Sequence, residues 1–284
     1  MRIGVITDEV SQDFKEAMDF AKAYRLSCVE LRSAWEKGSF EYEKEDILKI
    51  KAISDEYGIP VTAISSPMFK CNYTKENIEN HIKAFEKLVE FAKILGATTI
   101  RCFNFFSDSS VTDEMVKEAY IKPCEIAKNA GITIVIESEP TTNARNCEEI
   151  ARIVKCVDNP NFKALYDPGN NIYATDEIPY PDGYEKIKDI IHHIHIKDAV
   201  LDENKKPVGV AVGKGMVDYR GLFKKLKEIS YNGDVMLETH YRPSGKLDEI
   251  TLKNPKGSSI SAGGYLPSCE CMENLLEIIN EKID

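Results

Sequence analysis

Three of the five histidines of this 284-residue chain fall within His192-His193-Ile194-His195-Ile196-Lys197-Asp198. The run is short and rich in β-branched residues, so it reads as a strand, whose side chains alternate between two faces. His193, His195 and Lys197 then share one face, and His192, Ile194 and Ile196 the other. Three more strand-like runs end in a carboxylate: Thr133–Glu137, Lys163–Asp167 and Val235–Glu238. Three carboxylates converging on one point repel one another and raise their own pKa values. A divalent cation removes that penalty. One imidazole with three carboxylates is a hard-to-borderline donor set that suits Mn2+, Mg2+, Co2+ or Zn2+, with Mn2+ favoured. Glu137, Asp167, His195 and Glu238 are therefore the expected ligands of one divalent metal ion. Singly, each has a plainer reading. A strand-end glutamate is commonly solvated, Asp167 before Pro168-Gly169 can start a turn, and a lone histidine can belong to the core. Their coincidence on successive strands is what points to a metal. His195 lies one pleat nearer the strand end than His193, which is expected deeper.

The elements that must position these residues alternate along the whole chain. Strands are predicted at Arg2–Ile6, Cys28–Arg32, Val61–Ser65, Thr98–Phe103, Ile132–Glu137, Phe162–Asp167, Ile191–Lys197 and Val235–Glu238. Helices are predicted between them at Ser11–Arg25, Glu43–Tyr57, Thr74–Leu95, Thr112–Asn129, Asn146–Val157, Tyr184–Asp189 and Tyr219–Ile229, with Cys271–Lys282 closing the chain. Threonine caps and the glycine stops Gly58, Gly96 and Gly131 mark several ends. Eight strands alternating with helices predict a single-domain (β/α)8 TIM barrel over residues 1–284. A doubly wound open sheet is the alternative, but no Gly-x-Gly-x-x-Gly follows the first strand and no Walker-type loop occurs. In a barrel the active site lies at the C-terminal strand ends, where the four ligands would converge.

Composition narrows the function classes. Apolar residues make up 43% and charged residues 30% of the chain, ordinary for a globular protein, and the formal charge is −10. Such a surface repels phosphate backbones, so no nucleic-acid partner is expected. No signal-like segment precedes the first strand and no apolar run spans a bilayer, so a cytoplasmic location without membrane contact is the expectation. The 8 cysteines are scattered without a C-x-x-C pair and are expected to be reduced and structural.

The motifs Val29-Glu30-Leu31-Arg32, Ile136-Glu137, Tyr166-Asp167-Pro168-Gly169-Asn170, His195-Ile-Lys-Asp198, Gly213-Lys-Gly-Met-Val-Asp218 and Leu237-Glu238 together resemble the xylose isomerase-like barrels. That superfamily of sugar phosphate isomerases/epimerases includes ketose 3-epimerases, hydroxypyruvate isomerase and inosose dehydratase. The resemblance covers essentially the whole chain. It implies one divalent metal held by Glu137, Asp167, His195 and Glu238, with Glu137 and Glu238 also acting as the catalytic acid/base pair. Ketose 3-epimerases carry a histidine where this chain has Asn170, and a glutamate and a downstream arginine where it has Lys197-Asp198. The His-x-Lys-Asp form is more similar to the inosose dehydratase-like branch.

The expected function is thus a divalent-metal-dependent isomerase or epimerase of a sugar, sugar phosphate or related hydroxyketone, working through an ene-diolate. An inosose dehydratase-like lyase and a non-catalytic barrel are the alternatives, since isomerisation and dehydration share the same first proton abstraction. A DNA-repair nuclease on this barrel would need more histidines than the five present. Glu30, Trp35, Asn170, Lys197 and His240 are the candidate substrate contacts. Glu30 and Arg32 could instead pair with each other, Trp35 could anchor its loop, and His81 is expected at the surface. The loop after strand eight carries Arg242, Lys246, Lys253, Lys256 and Ser258-Ser259, and it is read as a phosphate site, a solvated lid or a homo-oligomer contact. The loop Ala199–Val217 is expected to form a mobile edge of the pocket.

Overall fold

The computed structural model describes residues 1–174, 177–243, 247–248, 250–251 and 255–281. Eight parallel strands close into a barrel: β1 (Arg2–Ile6), β2 (Cys28–Leu31), β3 (Val61–Ser65), β4 (Thr99–Cys102), β5 (Thr133–Glu137), β6 (Phe162–Tyr166), β7 (Ile191–Ile196) and β8 (Asp234–Leu237). Each pairs with its neighbours in sequence, and β1 meets β8 in the register Arg2↔Asp234 to Val5↔Leu237. Helices α1 (Phe14–Ala23), α2 (Lys44–Tyr57), α3 (Lys75–Leu95), α4 (Asp113–Ala130), α5 (Cys147–Val157), α6 (Tyr184–Ile187), α7 (Tyr219–Glu228) and α8 (Tyr265–Asn280) follow the strands in turn. This is the predicted (β/α)8 barrel.

Strand parity sorts the chemistry. The outward residues Val5, Val29, Ile100, Ile134, Ile136, Ile194, Ile196, Val235 and Leu237 join the large apolar core beneath the helices. The inward set is different. Ile6, Cys28 and Met236 form a small separate apolar cluster, and the buried polar residues Glu30, Arg101, Glu137, His193 and His195 share their inward parity. Gly4 is required low in the barrel, because an added Cβ would lie 2.4 Å from the Met236 sulfur and 2.6 Å from the Cys28 carbonyl oxygen.

Helix starts lie one residue beyond their polar caps. Thr74, Thr112 and Asn146 each accept a backbone N–H from three residues on, at 3.2, 3.3 and 2.9 Å, and each keeps extended backbone itself. α8 begins at Tyr265 rather than Cys271, since Pro267 falls in its first turn, where a missing N–H is no loss. The predicted end at Lys282 lies outside the described residues. Two hairpins stand where loops are expected. Ser33–Ala34 pairs with Lys37–Gly38 around Trp35 and Glu36, both left-handed at φ 51° and 65°. Asp198–Leu201 pairs with Pro207–Val210. The expected mobile loop 199–217 is therefore largely tied down. The Asp198 carboxylate accepts the N–H groups of Gly213, Gly215 and Val217 at 3.0, 2.9 and 3.3 Å, so the Gly213-Lys-Gly215 motif wraps an anion rather than hinging. All eight cysteines are free. Among the described residues no helix is long and apolar enough to cross a membrane.

Candidate metal centre

Glu137 ends β5, Asp167 and Glu238 each follow the last residue of their strands, and His195 is the penultimate residue of β7. One potential ligand atom from each of these four buried residues lies within 4.8 Å of all the others. His195 Nδ1 stands 3.4 Å from Glu137 Oε1 and 3.3 Å from Glu238 Oε2. The convergence follows from parallel strands whose inward positions line up at the same barrel end, as the Met236↔His195 register brings Glu238 beside Lys197.

The donor set fits a cation. His195 Nδ1 is buried without a hydrogen-bond partner among the described residues, and Asp167 Oδ2, equally buried, meets the Lys197 ammonium at 2.8 Å. The other imidazole nitrogen, Nε2, lies 3.0 Å from Glu30 Oε2, and His193 Nε2 reaches the same oxygen at 2.7 Å. With Nε2–H donated to a carboxylate, Nδ1 faces the three carboxylates, the usual support for a metal-binding histidine. Glu30 and Glu137 raise the imidazole well above its ordinary pKa despite its burial, so a cation would take the place of the Nδ1 proton. Asp167 divides its oxygens. Oδ1 caps the short helix Pro168–Ala174 by accepting the Asn170 N–H at 3.0 Å, which leaves Oδ2 for the centre. Asp167 does start the turn, and that leaves its ligand reading open.

Fixed cations already surround the four candidate ligands. Lys197 Nζ bridges Asp167 Oδ2 at 2.8 Å and Glu238 Oε2 at 2.7 Å. Arg101 Nη1 donates to Glu137 Oε2 at 2.9 Å. Arg32 Nη1 donates to Glu238 Oε1 at 2.6 Å, while its Nε and Nη2 hold Asp8 and Glu9 at 3.0 and 2.6 Å. These contacts set the protonation states. Burial pushes the Glu137 carboxyl up, but Arg101 and His195 more than offset it and hold it at about 2. Burial likewise opposes ionisation of Glu238, yet Lys197 and His240 keep it well below the usual carboxylate range. Asp167 behaves differently: burial, with added repulsion from Glu137 and Glu238, raises it to about 7, and Lys197 only partly offsets the shift. The Lys197 ammonium is raised, its burial outweighed by Asp167 and Glu238.

The candidate substrate contacts divide. Asn170, Lys197 and His240 line a cavity of about 680 Å3 above the centre, with Glu137 and Glu238. Asn170 Nδ2 donates to Glu137 Oε1 at 3.1 Å and to the Ser138 carbonyl at 2.7 Å. His240, left-handed at φ 42°, holds Nε2 3.2 Å from both Glu9 Oε1 and Glu238 Oε1. Glu30 is not in the cavity and does not pair with Arg32; it is fully buried beneath the centre on the two histidines. Trp35 does not line the cavity either. It packs edge-on against Phe14 at 6.4 Å and under Lys49 at 3.9 Å, as a loop anchor at the hairpin tip. His81 is half-buried rather than superficial, its Nδ1 accepting the Phe69 N–H at 2.8 Å. In the loop after β8, Arg242 is held by the Tyr241, Ile260 and Ala262 carbonyls, which leaves a poor phosphate ligand. Lys246 and Lys253 lie outside the described residues.

Sequence reasoning missed Asp8, Glu9 and Arg101. Arg101 had a signal, a lone charge at an inward position of an otherwise apolar strand. Asp8 and Glu9 sit in a single helical turn, Thr7–Val10, directly after β1, and both are fully buried.

Gly169 holds this arrangement together. A Cβ there would lie 2.4 Å from Lys197 Cγ and 2.6 Å from the Lys197 carbonyl oxygen, which is itself fixed by the Tyr219 hydroxyl at 2.6 Å. Gly169→Ala is expected to lower stability by about 1–3 kcal/mol through overpacking. It should also reduce metal occupancy by displacing Asp167; denaturant melts and metal analysis of the same sample check both.

A closed (β/α)8 barrel with a Glu-Asp-His-Glu cluster at its C-terminal rim defines the class. Residues 18–262 match the family described as Xylose isomerase-like TIM barrel, and the chain belongs to that family. An inosose dehydratase of Serratia proteamaculans (strain 568) is 27% identical over 195 residues, covering 62% of this chain and 62% of that protein. The chain thus spans less than two thirds of that relative's length. Among solved structures, the IOLI protein with a binding zinc atom superposes at TM-score 0.75 and 17% identity over 100% of both chains. A D-tagatose 3-epimerase-like protein does so at TM-score 0.73 and 21% identity, again over 100% of both. At those identities the likeness shows the fold.

Proposed function

We propose that this chain is a divalent-metal-dependent isomerase or epimerase of a sugar, sugar phosphate or related hydroxyketone. The observation that carries the reading is the cluster of four buried potential ligand atoms within 4.8 Å, one of them, His195 Nδ1, without a hydrogen-bond partner among the described residues, at the floor of a cavity that Glu137 and Glu238 line. Glu137, Asp167, His195 and Glu238 would hold one cation, Mn2+ being favoured by the three carboxylates. Bound there, the ion supplies Lewis-acid polarisation of a substrate carbonyl.

The chain's own groups do the rest. Glu137 and Glu238 reach the cavity as carboxylates, and either can take a proton from the carbon next to the carbonyl. The Lys197 ammonium remains charged and offers N–H to the oxygen on which negative charge develops. His240, its imidazole raised by Glu9 and Glu238 against its burial, holds a proton beside Glu238. Returning the proton to the neighbouring carbon or the opposite face gives an isomer or an epimer; loss of a β-hydroxyl instead gives dehydration. The lyase reading is favoured by one specific observation, the inosose dehydratase relative, and Lys197 can then protonate the departing hydroxyl.

Incubation with ketoses, their phosphates and inososes in D2O, followed by proton NMR, tests both. Deuterium at the α-carbon with a new ketose or aldose supports the isomerase. Loss of water from an inosose transfers the assignment to the lyase. No exchange in any metal-loaded sample overturns the proposal.

A further inference from the structure

A second chamber of about 200 Å3 opens off the main cavity, sharing Lys70 and Arg101 with it. Four cations line it, Arg32, Lys70, Arg101 and Lys256, against a single carboxylate, Glu41. We infer that this chamber binds an anionic end group of the substrate, a phosphate or a carboxylate, while the rest of the substrate reaches the metal centre. The inference rests on the functional reading above and adds the substrate's charge.

Three observations support it. First, Ser39 lines the chamber at 3% exposure, and its hydroxyl has no hydrogen-bond partner among the described residues. An unpaired buried hydroxyl is costly unless something else fills the space. Second, Arg32 is spent on Asp8, Glu9 and Glu238, but two of the other cations keep donors in reserve. Arg101 gives Nε to Ser65 Oγ at 3.2 Å and Nη1 to Glu137, and its Nη2 has no partner among the described residues. Lys70 gives one N–H to Glu139 at 2.9 Å and lies over the Phe103 ring at 4.7 Å, with its side chain only 6% exposed. Burial lowers the Lys70 pKa and Glu139 only partly opposes this, so an arriving anion would stabilise the ammonium. Third, Arg101 touches both spaces. Its Nη1 is on the expected metal ligand Glu137 and its side chain lines the chamber, so one guanidinium connects the reacting end of a substrate to the charged end. In contrast, Lys256 is 41% exposed on Glu41 and acts as the outer rim.

The test is equilibrium binding of two probes, inorganic phosphate and acetate, to the metal-loaded full chain and to S39A and K70M. Metal content is measured on every sample. S39A removes only a hydroxyl without a protein partner, so its fold is unaffected. Phosphate affinity is expected to fall about three- to tenfold in S39A and about ten- to a hundredfold in K70M. The same losses with acetate and not phosphate would identify a carboxylate as the natural group. Binding that is equal in parent and both variants would be binding at the metal and would overturn the inference. So would metal-loaded protein that binds neither probe, and that result leaves the metal reading standing. Protein that binds anion in this variant-dependent way but takes up no metal would support the chamber and sink the metal reading instead.

Discussion

Purified protein should carry about one divalent ion per chain, which His195→Ala should lose and Glu238→Gln should hold more weakly. The two variants remove different things. His195→Ala deletes the one nitrogen of the candidate ligand set and leaves Glu30 with His193 and Ser65. Glu238→Gln keeps the shape of the side chain but removes the charge that Arg32 and Lys197 both bind, at 2.6 and 2.7 Å. The first variant should therefore bind no metal. The second should bind it weakly and also lose a proton acceptor in the cavity. Its turnover is expected to fall by about 10^2–10^4 even at saturating metal, the range for a missing general base. Mass-spectrometric metal analysis with turnover measured across a metal titration separates the two losses. Full metal occupancy in both variants would remove these residues from the ligand set. An unchanged turnover in Glu238→Gln would remove Glu238 from the proton transfer.

The parts of this site that were readable in the sequence are those governed by local repeat. Strand parity put His193, His195 and Lys197 on one face, and all three are buried inside the barrel. The cap residues Thr74, Thr112 and Asn146 located helix starts to within one position, because a cap has extended backbone while its side chain already serves the helix. What was not readable depends on contacts between distant segments. Arg32 meets Glu238 across 206 positions, and Arg101 meets Glu137 across 36. No spacing rule announces either pair. Glu30 and Arg32 share a strand face, which invited pairing them with each other. The barrel instead turns Glu30 down toward β7 and Arg32 toward the turn after β1. Trp35 was misleading for another reason. A lone tryptophan after a strand end looks like a sugar platform, yet its backbone is left-handed in a tight hairpin that carries the ring to Phe14 on α1.

That displacement of Glu30 from the cavity leads to the other large effect. Its Oε2 receives both His193 and His195, at 2.7 and 3.0 Å, and Oε1 receives the Ser65 hydroxyl. Burial opposes its ionisation, but the two imidazoles hold the carboxyl well below its ordinary value, so it is an anion at neutral pH. Glu30→Gln keeps the volume and an acceptor oxygen while removing the charge. Hydrogen bonds to charged groups contribute about 1.5–3 kcal/mol against about 0.5–1.5 for neutral ones, so a loss of about 1–2 kcal/mol of stability is expected. The larger consequence falls on the metal. A neutral amide fixes the His195 tautomer less firmly and makes Nδ1 a weaker donor, and such supporting partners are worth about 10- to 100-fold in metal affinity. Turnover at saturating metal should stay close to that of the parent, because Glu30 has no surface in the cavity. A chelator-competition titration measures the affinity and a metal-saturated assay the turnover. Weakened binding with preserved turnover marks Glu30 as a positioning residue for His195. Equal loss of both would mean that its charge acts on the reacting atoms. Unchanged affinity would mean that His195 Nδ1 is aimed by the barrel alone.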